Sequence, residues 1–210
     1  MDDERPLDPE AGAAIVEAQR ARVEASTAVD PRVLFGAWGL AWLLGFGLLW
    51  AAALDEPLVP VDLGVALAVF FALLAAAGVV TAVHIATRSR GVRGMSARQG
   101  ALYGWGWFLG FAVVGALAHA LRRAGASEDV VSLVMMATSV LLVGALYMAG
   151  GALWDSISQW ALGAVITVST VVALVVGLPH AYLVMSLGGG GAMLVAAGVE
   201  ALRRRRARGH

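Results

Sequence analysis

The residues of this sequence that could line a binding site are small or weakly polar, and they lie inside long apolar segments. The most distinctive feature is a run of four glycines near the middle of the last apolar segment. Each glycine lowers helix stability by about 1 kcal/mol relative to alanine. Such a run could break a membrane helix, so that freed backbone groups line a solute or ion site at mid-membrane. The run consists of Gly188, Gly189, Gly190 and Gly191.

Glycine-rich helices also pack closely against one another in membranes, because small residues let two backbones approach. The third apolar segment repeats this small-residue spacing, with Gly100 preceding Gly104 and Gly106 preceding Gly110. This second occurrence favours close packing as the role of the glycine run. A broken-helix site remains the alternative hypothesis.

Hydroxyl groups form two small clusters in the fourth and fifth apolar segments. Such groups commonly bond to carbonyl groups of their own helix or of a neighbouring helix, which requires no function. A polar solute path through the last three segments would use the same side chains. With the glycine run they form the predicted cavity or packing site. The residues are Thr138, Ser139, Tyr147, Thr167, Ser169 and Thr170.

The middle of every apolar segment lacks Asp, Glu, Lys and Arg. Catalytic and ion-coupled membrane proteins normally place such groups at depth. His84, His119 and Glu200 lie within about two helical turns of a segment end. The two histidines lie near opposite surfaces and cannot share a metal. The chain has no cysteine and no zinc, nucleophile or phosphate-binding motif. We therefore predict no enzymatic activity, no catalytic residue, no cofactor and no metal.

Six apolar segments position these residues, and each is long enough to cross a bilayer as a helix. The chain has 210 residues, of which 60% are apolar. A soluble domain of this size could not bury that much apolar surface. The predicted fold class is all-α: a polytopic membrane helical bundle of six transmembrane helices in contact with the lipid bilayer. The predicted spans are 33–54, 63–86, 101–121, 131–153, 158–178 and 181–202.

The distribution of arginine predicts the orientation of the bundle. Thirteen of the fifteen basic residues lie on the side that holds both termini, and only Arg122 and Arg123 lie on the other. Loops rich in basic residues stay in the cytoplasm. Both termini are therefore predicted to be cytoplasmic, in a cell (inner) membrane. The use of arginine without lysine suggests a bacterial genome rich in G and C.

Two charged segments flank the predicted transmembrane domain, which comprises residues 33–202. Residues 1–32 form a cytoplasmic segment with a short helix near 8–27, which we interpret as a solvated leader rather than a docking helix. Residues 203–210 form a basic tail that acts as an anchor or attracts anionic lipid headgroups. The tail lacks interleaved aromatic residues, so nucleic acid is not a predicted partner.

Two aromatic-glycine segments resemble each other closely. Residues 38–46 and 103–111 are identical or alike at seven of nine positions, and residues 160–163 form a shorter segment that is similar to both. All three lie in odd-numbered spans, which cross the membrane in the same direction. A repeated helical hairpin would explain the match, and so would convergence on residues that membranes favour.

Two functions of different classes fit these features. We favour an accessory or structural membrane subunit that engages a membrane protein partner, because buried charge is lacking and helix faces are rich in glycine. The alternative is a small-solute permease or channel, acting alone or as a homo-oligomer, with its site near the glycine run. A wet cavity between the fourth and sixth spans would favour transport, and a fully packed bundle would count against it.

Overall fold

The computed structural model describes residues 12–19, 29–88 and 95–208. Six of its helices are long and apolar enough to cross a membrane, which confirms the predicted helical bundle. The sixth is built of three consecutive parts. The helices are α1 (Pro31–Ala52), α2 (Leu63–Arg88), α3 (Met95–Arg123), α4 (Glu128–Leu153), α5 (Ile157–Val176) and α6 (His180–Val184, Met185–Gly191 and Ala192–Arg208).

Polar side chains cap the N-termini of α1 and α4. The Asp30 carboxylate caps α1 by accepting the backbone N–H of Arg32 at 3.0 Å, and Pro31 occupies the first helical position. Ser127 caps α4, and Glu128 follows it in the first turn, where a helix favours acidic groups. These caps satisfy backbone N–H groups that hydrocarbon would leave unpaired.

The helix bounds differ from the predicted spans at several ends. Helix α5 ends at Val176 rather than at residue 178, because Gly177 has a φ of 75° and stops the helix. Helix α3 begins at Met95, well before the predicted start at residue 101, because its first turns are polar and hydropathy does not detect them. Residues 12–19 are helical; the rest of the helix predicted near 8–27 lies outside the described residues.

The helices pack in the spatial order α2, α1, α6, α5, α4 and α3. The last helix of the chain therefore lies between α1 and α5. Aromatic side chains also bring α1 to α4, since the rings of Phe35 and Tyr147 lie 6.1 Å apart. The core thus belongs to α1, α4, α5 and α6. Its largest fully buried side chains are Leu49, Val131, Val140, Ile166, Met185 and Met193.

Helices α2 and α3 lie at the two ends of this order. Of the described residues, α2 buries only Ala66 and Ala77, and α3 buries only Val114. Their remaining surface is dominated by large apolar side chains. Such a surface is stable in contact with lipid or with other membrane helices, and unstable in water.

The first two hairpins make matching contacts at one end of the bundle. The indole Nε1 of Trp38 donates a hydrogen bond of 2.9 Å to the hydroxyl oxygen of Thr81 on α2. At the equivalent position of the second aromatic-glycine segment, the hydroxyl of Tyr103 donates one of 2.7 Å to the carbonyl oxygen of Leu146 on α4. Each of these two hairpins is thus tied by the first residue of its aromatic-glycine segment, although α1 lies in the core and α3 lies at one end of the helix order. The hairpin repeat stays a hypothesis.

Candidate functional site

The glycine run lies in the middle of α6, where it widens the helix and leaves it continuous. Residues Met185–Gly191 form a π-helical segment between the α-helical parts His180–Val184 and Ala192–Arg208. In a π-helix each carbonyl accepts a hydrogen bond from the fifth residue ahead. The backbone groups therefore stay paired inside the helix, as hydrocarbon requires.

Two of the glycines bring the backbone of α6 against α1. A Cβ atom added to Gly190 would lie 2.9 Å from the Cα of Leu43 and 3.0 Å from the carbonyl oxygen of Gly39. A Cβ atom added to Gly189 would lie 2.6 Å from the indole ring of Trp42. Real Cβ atoms do not approach neighbours this closely, so any side chain here would push the helices apart.

The two outer glycines of the run differ from each other. A Cβ atom on Gly188 would lie 3.0 Å from the Cβ of Ser169, so this position packs against α5. A Cβ atom on Gly191 would meet nothing within 4 Å. The run therefore contacts α1 and α5 through three of its members, and the fourth provides an internal control.

Ser186 adds a polar contact at the same level of the bundle. Its side chain is buried, and its Oγ donates a hydrogen bond of 2.7 Å to the carbonyl oxygen of Leu43. This bond joins the π-helical segment of α6 to α1. The sequence analysis missed Ser186, because its partner is a backbone atom far away in the chain. Its position just before the glycine run is the signal that could have found it.

The three predicted threonines bond to their own helices. Each hydroxyl donates to the carbonyl oxygen four residues earlier, a bond that satisfies the hydroxyl without a partner helix. The three hydroxyl groups therefore need no bound solute as a hydrogen-bond partner. The pairs are Thr138 with Val134 at 2.7 Å, Thr167 with Gly163 at 2.9 Å and Thr170 with Ile166 at 2.9 Å.

The other predicted residues have separate surroundings. Ser169 lies against the glycine run, as described above, and Ser139 is half-buried on α4. The half-buried ring of Tyr147 lies between Phe35 of α1 and Trp107 of α3, with ring centroids 6.1 and 6.2 Å away. The predicted site is thus divided between contacts around α6 and an aromatic contact on α4.

Helices α4 and α5 also meet through glycine. A Cβ atom on Gly163 would lie 2.6 Å from the carbonyl oxygen of Gly144, and one on Gly151 would lie 2.6 Å from the backbone nitrogen of Trp160. Backbone therefore contacts backbone in this hairpin. Thr167 also packs directly against Gly144. The interface of α4 and α5 is therefore closely packed at these levels.

Two shallow hollows of about 330 and 310 Å³ lie on the outside of the bundle. Both are mainly apolar and open. The first runs along the contact of α1 and α2, and the second lies on the outer side of α3. The first is lined by Val33, Val79, Val80, Val83, His84 and Thr87. The second is lined by Ala101, Gly104, Trp105 and Phe108.

A polar network ties three helices together at the end of the bundle that holds the N-terminus of α1. Asp30 is buried and accepts hydrogen bonds from Arg32 at 2.6 Å and from Arg204 of α6 at 3.3 Å. The backbone N–H of Asp30 donates to the Nε2 of His84 on α2 at 3.0 Å. His84 was predicted to lie near a segment end, but its contact with Asp30 was not predicted.

The arginines of this network act on the charge of Asp30. Hydrogen bonds from Arg32, together with the positive charge of Arg204, lower the pKa of the Asp30 carboxyl group to about 2. Burial of the carboxylate opposes this effect but is the weaker influence. Asp30 is therefore ionised at every physiological pH and holds α1 to α6 as an ion pair.

In the part of the chain that the structure describes, no three His, Asp or Glu side chains come close enough to hold a metal ion. Comparisons with protein-family models, with curated proteins and with solved structures gave no match.

Proposed function

We propose that this chain is a non-enzymatic accessory or structural subunit of a cell membrane, with both termini in the cytoplasm, and that it engages a larger membrane protein. The observation that supports this function is the contrast between the two sides of the fold. The centre is filled by backbone contacts such as that of Gly190 with Leu43, whereas α3 offers an open apolar face.

The face of α3 has the features of a helix-docking surface. Trp105 and Phe108 are 59% and 63% exposed, and their rings pack edge to face with centroids 5.4 Å apart. Together with Ala101 and Gly104 they line a shallow hollow. A Cβ atom on Gly104 would meet nothing within 4 Å. A small residue beside exposed aromatic side chains lets a partner helix approach closely, which is the geometry that stabilises helix pairs in lipid.

Site-specific photocrosslinking in the native membrane tests this proposal. A photoreactive residue at position 108 should crosslink to one partner chain at a defined ratio. Phe71 on α2 is 62% exposed and provides the matched control position. Replacing Gly104 by Leu should abolish the crosslink at position 108 by filling the hollow.

The outcomes of this experiment separate the candidates. A stoichiometric heterologous partner at position 108, and none at position 71, supports the accessory function. Crosslinks to lipid alone at both positions contradict it. A crosslink to a second copy of this chain would replace the heterologous partner by a homo-oligomer.

A small-solute permease is the second candidate, and the π-helical segment favours it. Such segments in membrane helices often occur at functional sites. Flux of small polar solutes into vesicles containing the purified chain, lost in Ser186→Ala but retained in Thr138→Val, would support this function. Absence of flux together with a stoichiometric partner would exclude it in favour of the accessory role.

A further inference from the structure

The hollow along α1 and α2 combines an apolar floor with a polar end. Four valines line it, and His84 and Thr87 lie toward the end of α2 that holds Arg88. Val33 contributes from α1, next to Arg32. A shallow apolar hollow that ends beside basic groups suits a phospholipid, with its acyl chain in hydrocarbon and its phosphate at the surface.

Among residues 29–88 and 95–208, the charges at this end are predominantly positive. Asp30 is buried and already contacts Arg32 and Arg204, and Glu200 pairs with Arg203 at 3.2 Å. Both carboxylates of this end of α1 and α6 are therefore neutralised within the protein. Within residues 29–88 and 95–208, Arg88 forms no ion pair.

Arg32 can serve the network and a ligand together. Its side chain remains 36% exposed while it contacts Asp30. A guanidinium group has five N–H donors, so contact with one carboxylate leaves donors for a phosphate group. His84 accepts the Asp30 backbone N–H through Nε2, which holds the ring at the edge of the hollow.

We propose that this hollow binds an anionic phospholipid, with an acyl chain along Val79, Val80 and Val83 and the phosphate group between Arg32 and Arg88. The peripheral position of α2 leaves the hollow open to the bilayer. Zwitterionic lipids share the phosphate but carry a compensating cation, which the surrounding arginines repel. The site therefore selects for net negative charge. This inference does not depend on the proposed function.

Lipid titration of the purified full chain in mild detergent tests the proposal. Bound lipid is counted by native mass spectrometry with dioleoyl phosphatidylglycerol and, in parallel, with dioleoyl phosphatidylcholine. The first phosphatidylglycerol should bind at least about fivefold more tightly, since one arginine near the surface contributes about that factor. Equal affinities for the two lipids would overturn the proposal.

Matched variants locate the binding. Arg88→Gln should weaken phosphatidylglycerol binding about fivefold, and Arg88→Lys should retain most of it. Arg123→Gln removes one positive charge at the opposite end of the bundle and should have no effect on the first binding event. An equal loss in Arg88→Gln and Arg123→Gln would show that only overall charge matters, and this result would overturn the site.

The apolar part of the hollow has its own test. Val83→Trp should exclude the acyl chain and abolish the preference for phosphatidylglycerol, whereas Val113→Trp on α3, another exposed valine, should retain it. Thermal unfolding without added lipid checks that both variants fold. If Val83→Trp does not fold, the comparison of the Arg88 variants with Arg123→Gln tests the proposal by itself. Competition by millimolar glycerol 3-phosphate would show a site for free phosphate and overturn the role of the acyl chain.

Discussion

The buried hydroxyl of Ser186 donates a hydrogen bond of 2.7 Å to the carbonyl oxygen of Leu43. The two residues belong to the last and the first membrane helices, and the bond lies beside the contact of Gly190 with the α1 backbone. A polar bond and a close backbone approach thus act at one level of the bundle. Together they hold α6 against α1.

Removal of this hydroxyl should destabilise the bundle modestly. Ser186→Ala should lower the free energy of unfolding by about 0.6–2 kcal/mol, the range of interhelical hydrogen bonds in membranes. Thr138→Val is the matched control, because the Thr138 hydroxyl bonds only to its own helix. Thermal unfolding of the detergent-purified protein measures both. Equal losses in the two variants would contradict an interhelical role for Ser186.

The glycine run offers a comparison of adjacent positions. Gly190→Ala should lower the free energy of unfolding by about 1–3 kcal/mol, because the new methyl group would overlap the backbone of α1. Gly191→Ala meets open space and should be neutral, or stabilising by up to about 1 kcal/mol through helix propensity. Thermal unfolding compares the two variants, and Gly190→Ala should unfold at the lower temperature. The reverse ranking would show that the run does not pack against α1.

The depressed pKa of Asp30 predicts acid sensitivity. A group whose pKa falls from 3.8 to about 2 on folding stabilises the fold fully above pH 3.8. This stabilisation is lost as the pH falls from about 4 to 2, and it amounts to about 2 kcal/mol at most. Unfolding followed between pH 5 and 2 should show a steeper loss for the natural chain than for Asp30→Asn. Parallel curves would indicate that Asp30 is not ion-paired.

The predicted orientation is open to a direct test. A reporter fused after residue 210 should be active only in the cytoplasm, because arginine is concentrated on that side. A reporter inserted at Gly125, in the turn between α3 and α4, should be active only outside. An externally active fusion after residue 210 would show that the C-terminus lies outside, and it would contradict the predicted orientation.

Much of the architecture follows from local features of the sequence. Lipid accepts apolar surface all round a helix and requires internally paired backbone, so hydropathy alone locates spans. Caps are equally local, and Asp30 with Pro31 marks the start of α1 for that reason. The glycine run was recognisable as the most distinctive part of the candidate site. Its contacts were not, since a glycine carries no side chain that specifies a partner.

The sequence by itself determined six membrane helices, their approximate ends and the concentration of small residues in α6. Only the tertiary structure decided that α6 lies between α1 and α5, that Ser186 meets Leu43, and that Asp30 meets Arg204. The physical reason is that burial in lipid drives each helix into the membrane separately, whereas the order of helices depends on shape and on a few polar bonds between distant residues. Those pairings have no local signature in the chain.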